Sequence, residues 1–311
     1  MLKPQALSRN CCGILAGIMT LLLAAVLQSC TDGSPGPVTS MYQYRDTRNL
    51  VSFVWSAARS LQVEGEEGIQ LFRRNRDDYR TGDYYLYVYD LDANVLFHAG
   101  MPYLEGRNMG NMEDHRGRNI QNMILEALAD SGNPHGWVHY TWWEPDGFFP
   151  VPKSSCHFLV STDHGEDIFV GGGMDYPHEE REFIRIIVDN AASRLHEEGL
   201  EALDLIADPA SVYSYREVKV FVFTGDSILV SPVLGSSSVD LDLMTVSDTA
   251  GNRPFAMAVA RLEGDSGVWQ AFLVRNRYSR IPAKKVLYLR RVIVYPDTLY
   301  VGAVTDLPEA P

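Results

Sequence analysis

The sequence predicts an α+β fold built from two tandem modules, each a long helix followed by a five-stranded antiparallel sheet with a helix-containing excursion. Three observations predict it: apolar residues at helical spacing open each half, strand-like stretches come after them, and the halves match in order. Ala57-Ala58, Leu61, Glu64-Gly65 and Leu71 recur 134 residues later as Ala191-Ala192, Leu195, Glu198-Gly199 and Leu205. Trp137, Lys153 and Phe169-Val170-Gly171 recur in the same order as Trp269, Lys285 and Tyr300-Val301-Gly302. Each match is weak alone, but colinear self-similarity marks a duplicated unit. The expected boundaries are 44–175 for the first module and 177–306 for the second, with a short tail at 307–311.

In the first module Leu50, Val51, Val54, Ala57, Ala58 and Leu61 share one helix face. Strands are expected at Tyr84–Leu91 and Val95–Ala99, joined by the turn Asp92-Ala93-Asn94, and then at Trp137–Trp143, Ser154–Ser161 and Ile168–Gly172. Between the second and third strands runs a long excursion. Within it Ile120, Met123, Ile124 and Leu128 fall at helical spacing, with Asp114 or Asn119 available to cap the free amides. The second module repeats the plan with a helix through Phe183, Ile184, Ile187, Val188, Ala191 and Leu195. Its strands are expected at Val218–Phe223, Ser227–Ser231, Val268–Val274, Lys285–Tyr295 and Leu299–Val304. Strands grouped apart from helices predict an antiparallel sheet with helices on one side.

Ahead of the modules, Lys3 and Arg9 precede an apolar run from Cys11 to Leu27, broken only by Gly13, Gly17 and Thr20 and succeeded by Gln28-Ser29-Cys30. That is the layout of an export signal over 1–29, and the run is short for a spanning helix, which needs about 20 apolar residues. Leu27-Gln28-Ser29-Cys30 resembles the lipobox of bacterial lipoproteins. The resemblance implies that Cys30 carries lipid (palmitate among the acyl chains) and anchors the mature chain on the extracytoplasmic side of the cell envelope. The Pro- and Gly-bearing stretch 30–43 reads as a flexible tether. With Cys11 and Cys12 in the leader and Cys30 acylated, Cys156 is the one thiol left, so no internal disulfide is expected. A formal charge of −13 argues against nucleic acid as a partner.

Tyr87-Val88-Tyr89-Asp90 with Asn94-Val95-Leu96-Phe97-His98, the loop Glu105-Gly106-Arg107-Asn108 with Asp114 and Gly117, and Gly136-Trp137-Val138-His139-Tyr140-Thr141-Trp142 with Pro145, Pro152 and Lys153 together resemble the Cache domains of extracytoplasmic sensors, in their single, PAS-like form. Cys156 stands where that family usually has an aromatic residue, and Met174 where it usually has Tyr. In the second module Phe272 replaces Tyr140 and Val274 replaces Trp142, so that copy is expected to be degenerate. The resemblance implies a small-molecule ligand, a carboxylate or amino acid, between the sheet and the excursion loop.

Read from the residues, Tyr85, Tyr87 and Tyr89 share one strand face, as do Val138, Tyr140 and Trp142. Aromatic walls with polar tips suit a small organic ligand, and a lysine facing a partly dry cavity pairs readily with a carboxylate. The candidate ligand-binding residues are therefore Tyr87, His98, Tyr140, Trp142 and Lys153. For each the plainer alternative is sheet packing, a satisfied loop histidine or a solvated strand-end charge. Arg107, Arg116 and Arg118 are the basic residues of the excursion, one of which could close over an anion.

Catalytic patterns fail. There is no Gly-x-Ser-x-Gly elbow, and His178-Glu179-Glu180 lacks the second histidine of a zinc helix. Gly171-Gly172-Gly173 has no lysine to complete a phosphate loop. No enzyme, metal or cofactor is expected. No second apolar span or output domain comes later in this sequence, so a partner in the envelope, for signalling or transport, would read the ligand. The alternative function is an envelope interaction protein that keeps the scaffold without binding a ligand.

Overall fold

A computed structural model describes residues 36–82, 84–143, 149–161, 167–231, 242–276 and 279–307. The leader, Cys30, Pro145 and most of the tail lie outside the described residues, as do residues 162–166. The fold described is that of the compact unit Pro37–Pro311.

Helix α1 (Arg45–Glu64) buries Leu50, Val51, Val54, Ala57, Ala58 and Leu61 along the predicted stripe. Gly65, at φ 56, ends it, donating its backbone N–H to the Leu61 carbonyl. A second helix that the periodicity does not single out, α2 (Glu66–Arg74), comes at once. The first sheet contains β1 (Arg80–Thr81), β2 (Tyr84–Asp90), β3 (Val95–His98), β4 (Val138–Trp143), β5 (Pro150–Ser161) and β6 (Asp167–Asp175). Its order is β1-β2-β6-β5-β4, with β3 also on β2, and all described pairings are antiparallel. The sheet thus has six strands rather than five, and β5 starts earlier than expected, taking in Pro150 and Pro152. Those prolines lie opposite Trp143 and Thr141, and the Pro152 carbonyl accepts from the Tyr176 amide, which holds Pro152 in place despite its missing N–H.

The excursion carries α3 (Ile120–Ala129), and of the two capping candidates Asn119 caps it, accepting from the Asn122 amide at 2.9 Å. Asp114 instead closes a turn on the Arg116 and Arg118 amides and pairs with the Arg118 side chain.

The second half opens with α4 (Arg181–Glu198), which ends at Gly199 as α1 ends at Gly65, and continues with the short α5 (Ala202–Ala207). The stretch expected as one strand from Val218 to Phe223 is split: β7 (Ser214–Tyr215) pairs with β8 (Val218–Lys219) as a separate ribbon, and β9 (Phe221–Phe223) joins the sheet. With β10 (Ile228–Val230), β11 (Val268–Val274), β12 (Ala283–Val294) and β13 (Asp297–Asp306) the second sheet has the order β10-β9-β13-β12-β11. This is the strand order of β3-β2-β6-β5-β4. A short helix, α6 (Pro254–Ala260), occupies the second excursion.

The packing is less divisible than the repeat. One cluster of buried residues runs from Leu50 and Val54 of α1 through Leu86, Phe169 and Trp137 to Phe183, Tyr215, Tyr288 and Val301 of the second half. Glu180, fully buried, accepts from the backbone amides of Gln43 and Tyr44 at 2.7 and 2.8 Å, so the approach to α1 is tied to the start of α4.

Candidate functional site

The triple glycine of β6 decides which face of the first sheet is closed and which is open. A Cβ at Gly172 would meet Val54 and Leu50, so α1 lies directly on that side. A Cβ at Gly171 would meet the Tyr87 ring and His157 on the other. Opposed residues of paired strands share a face, and the register Tyr87↔Gly171↔His157 and Tyr140↔Lys153↔Asp175 gathers these groups on the side away from α1.

There Tyr85, Tyr87, Tyr89, His98, Tyr140 and Trp142 line a cavity of about 30 Å³. Its outer wall comes from the excursion: Leu104, Met112, Ile120 and Ile124. Of the five sequence candidates the fold brings four, Tyr87, His98, Tyr140 and Trp142, into this one hollow. A cavity needs roughly 10–15 Å³ to hold one water, so the hollow as it stands holds about two waters. The tyrosines are 5–8 % exposed.

Lys153 is placed differently from the expectation of a lysine facing this hollow. It is buried beside it, donating to the Tyr85 hydroxyl at 2.7 Å and pairing with Asp175 at 2.8 Å. Its ammonium also lies 4.5 Å from the centre of the Tyr85 ring. Lys153 borders a neighbouring cleft of about 60 Å³, and Tyr140 borders both spaces. The lysine stem follows the strand and the aromatic ring, so its charge ends at Asp175, across the ladder, and not over the excursion.

Two histidines set hydrogen-bond polarity. His157 places Nδ1 at 2.7 Å from the Gly136 carbonyl, which can only accept, and Nε2 at 2.8 Å from the Tyr87 hydroxyl. Burial lowers its pKa to about 4, so the ring is neutral. Nδ1 then carries the proton, Nε2 accepts from Tyr87, and the Tyr87 oxygen keeps its lone pairs for another donor. His98 accepts the Met101 amide on Nδ1 at 2.9 Å, and burial, followed by the charge of Lys153, lowers its pKa to about 3. It is therefore a neutral donor through Nε2 near neutrality and not a charged anion ligand. Burial raises the pKa values of Tyr85, Tyr87, Tyr89 and Tyr140, so all four hydroxyls stay protonated.

Three contributors escape a reading of the sequence. Asp175 reads there as the end of a domain, His157 as an ordinary strand position, and Tyr89 only as part of an alternation. The signal that would have found Asp175 is its repeat: Lys285 and Asp306 are also opposed across β12 and β13 and pair at 2.7 Å. Cys156 is fully buried, and burial pushes its thiol up, as for an inert core residue.

In the second module the same register places Phe221 and Phe223 where Tyr87 and Tyr89 stand, and Phe272 where Tyr140 stands. Phe221, Phe223, Phe255 of α6, Leu287 and Leu289 form a buried cluster, with Phe272 packed against it. The hydroxyls of Tyr87, Tyr89 and Tyr140 have no counterpart at these three positions, where phenylalanine rings pack instead. Among the described residues no helix is long and apolar enough to cross a membrane, and no group of three or more metal-ligating side chains gathers.

Among curated proteins there is no sequence match. Solved structures similar to the chain include a methyl-accepting chemotaxis protein from Vibrio parahaemolyticus at 14% identity and TM-score 0.34, covering 52% of this chain and 97% of the other. Another, reported for carboxylic acid recognition by a Cache chemosensory domain, has 19% identity and TM-score 0.33, covering 54% and 100%. The ligand-binding domain of a Pseudomonas fluorescens chemoreceptor in complex with L-alanine has 12% identity and TM-score 0.27, covering 96% and 98%. Residues 66–159 match the Cache domain family model. That span takes in β2, β3, the excursion, β4 and most of β5, which together supply every wall of the tyrosine-lined hollow, so the likeness to the Cache family falls on the part of the chain that builds it.

Proposed function

We propose that the chain is a lipid-anchored, extracytoplasmic binding protein of sensor type whose first module takes a small carboxylate or amino acid between the sheet and the excursion. The observation that carries this reading is the hollow of Tyr87, His98, Tyr140 and Trp142 beside the buried Lys153–Asp175 pair. Tyr87 offers lone pairs, His98 a neutral N–H and Lys153 an ammonium, on largely apolar walls, which is the composition of a small-molecule site. A ligand carboxylate that draws Lys153 away leaves Asp175 unpaired, and an uncompensated buried charge is costly. An amino acid brings its own ammonium for Asp175, so the zwitterion is favoured over a simple carboxylate. The hollow is smaller than any such ligand, so binding requires Leu104, Met112, Ile120 and Ile124 to move outward with the excursion.

Thermal denaturation in the presence of single amino acids and small carboxylates tests this, because a ligand that binds only the native state raises the apparent midpoint. An upward shift with at least one of them, lost in Trp142→Ala, is expected. No shift with any member of the panel would remove the receptor reading. Anchoring is checked separately: Cys30→Ser should move the chain from the membrane fraction to the soluble one and abolish acyl mass on the N-terminal peptide. The apolar filling of the second module supports a second role for that half as scaffold, docking an envelope partner. Capture of that partner unchanged by Tyr140→Ala and Lys153→Ala would favour docking over ligand reporting.

A further inference from the structure

The cleft on the other side of Tyr140 has a chemistry of its own. It wraps the free edge of β4 and is bordered by Arg116 and Arg118 of the excursion, Lys153, and Arg216 of the β7–β8 ribbon. Two of these cations are neutralised within the protein, Arg118 by Asp114 at 2.6 Å and Lys153 by Asp175 at 2.8 Å. The other two are not. Among the described residues Arg116 donates to the Pro209 carbonyl and the Ser214 hydroxyl, and Arg216 to the Pro177 carbonyl, all neutral oxygens. Both are exposed, at the rim.

The floor holds two unanswered polar atoms. Thr141 Oγ1 and His139 Nε2 are buried without a hydrogen-bond partner, and both residues line the cleft. His139 makes its other contact, Nδ1 to the Ser154 hydroxyl, at 2.7 Å. Native proteins leave few buried polar atoms unsatisfied, each at a cost in stability. In a chain of net charge −13, surplus positive charge gathered over unpartnered polar atoms is contrary to composition.

We propose that this cleft is an oxyanion site, taking inorganic phosphate or the phosphate of a phosphomonoester, distinct from the ligand hollow in the first module. Guanidinium groups on two sides supply planar forks that match phosphate oxygens. With Nδ1 accepting from the Ser154 hydroxyl, His139 carries its proton on Nε2, and that N–H and the Thr141 hydroxyl meet the anion from beneath. A carboxylate, planar with two oxygens, is satisfied by one such fork, whereas donors converging from the rim and the floor suit a tetrahedral group. The site joins the excursion of the first module to the ribbon that precedes the second sheet.

Calorimetric titration of the full chain with inorganic phosphate, phenyl phosphate and succinate tests the assignment. Saturable binding of phosphate is expected, weakened at least about tenfold in the double variant Arg116→Gln, Arg216→Gln and roughly threefold in Thr141→Val. Phenyl phosphate binding as tightly as phosphate identifies the monoester as an alternative source of the same group. Trp142→Ala, which alters only the tyrosine hollow, should leave phosphate binding unchanged, so failure of the amino-acid reading and failure of this one are separately visible. No saturable phosphate binding at millimolar concentration overturns the proposal. So does unchanged affinity in the double arginine variant with its fold intact by circular dichroism, or binding of succinate without phosphate.

Discussion

Lys153 and Asp175 occupy directly opposed positions on adjacent antiparallel strands, and the repeat puts Lys285 and Asp306 in the same relation. The two ion pairs have nearly the same length, 2.8 and 2.7 Å, but not the same surroundings. Side-chain exposure is 1% and 18% in the first pair and 32% and 71% in the second. Removing one member of a buried pair strands the other, at about 3 kcal/mol, whereas an exposed pair contributes roughly 0–1 kcal/mol. Lys153→Met should therefore lower the urea midpoint markedly and Lys285→Met hardly at all, with Lys153→Met, Asp175→Asn recovering most of the loss. Equal losses from the two single variants would contradict the structure.

Gly171 lies under the Tyr87 ring, and a Cβ there would come within 2.3 Å of a ring carbon. The ring is held by His157, so Gly171→Ala must push it into the hollow. A cost of about 1–3 kcal/mol is expected, together with loss of ligand-induced stabilisation. Gly225→Ala, where nothing lies within 4 Å, is the control and should change neither readout.

Acid should destabilise this protein well before its carboxylates titrate. Burial lowers His98 and His139 to about 3, His157 to about 4, and His135 as well. Below the unfolded value of about 6.5 the unfolded chain binds protons that the folded chain refuses, so stability falls as pH drops from 6.5 toward 4. For a group shifted as far as His98 the loss at pH 5 is about 2 kcal/mol. Glu180 acts in the opposite sense, because burial raises its pKa despite the amides it accepts. Glu105 and Asp114 are lowered: burial raises them, but hydrogen bonds, first from Arg76 and from Arg118, outweigh it, so their loss comes only at lower pH. Urea midpoints measured from pH 7 to 5 should decline, and a flat profile would exclude neutral buried histidines.

Asn119 caps the helix that carries Ile120 and Ile124 into the cavity wall. Asn119→Ala should cost about 1 kcal/mol, and Asn119→Asp should restore most of it. Hydrogen exchange should report faster opening of residues 120–129 in the alanine variant while the amides of β5 and β6 are unaffected.

Much of this architecture is legible because periodicity reports burial directly. The stripes Leu50–Leu61 and Phe183–Leu195 are helix faces, and the strands fall where alternation and turn residues put them. The split between Val218 and Phe223 is not legible, since apolar alternation continues through Val220 and says nothing about which neighbour the backbone bonds. In the hollow, Tyr87, Tyr140 and Trp142 can be grouped because strand alternation fixes faces. The direction of the Lys153 ammonium cannot, because its end point depends on Asp175, distant in sequence and adjacent only through register. His157 escapes notice for the same reason: its task is set by Gly136 on one side and Tyr87 on the other.

Arg116 and Arg118 leash the excursion to the segment just beyond α5, through the Pro209 and Ser211 carbonyls and the Ser214 hydroxyl. Those acceptors lead straight into the ribbon and the second sheet. A guest that lifts Leu104 and Met112 off the tyrosines must stretch or release these tethers. Under the proposed function, occupancy of one half is felt as tension in the other, and the half with phenylalanines in place of Tyr87, Tyr89 and Tyr140 is the handle by which the first is pulled.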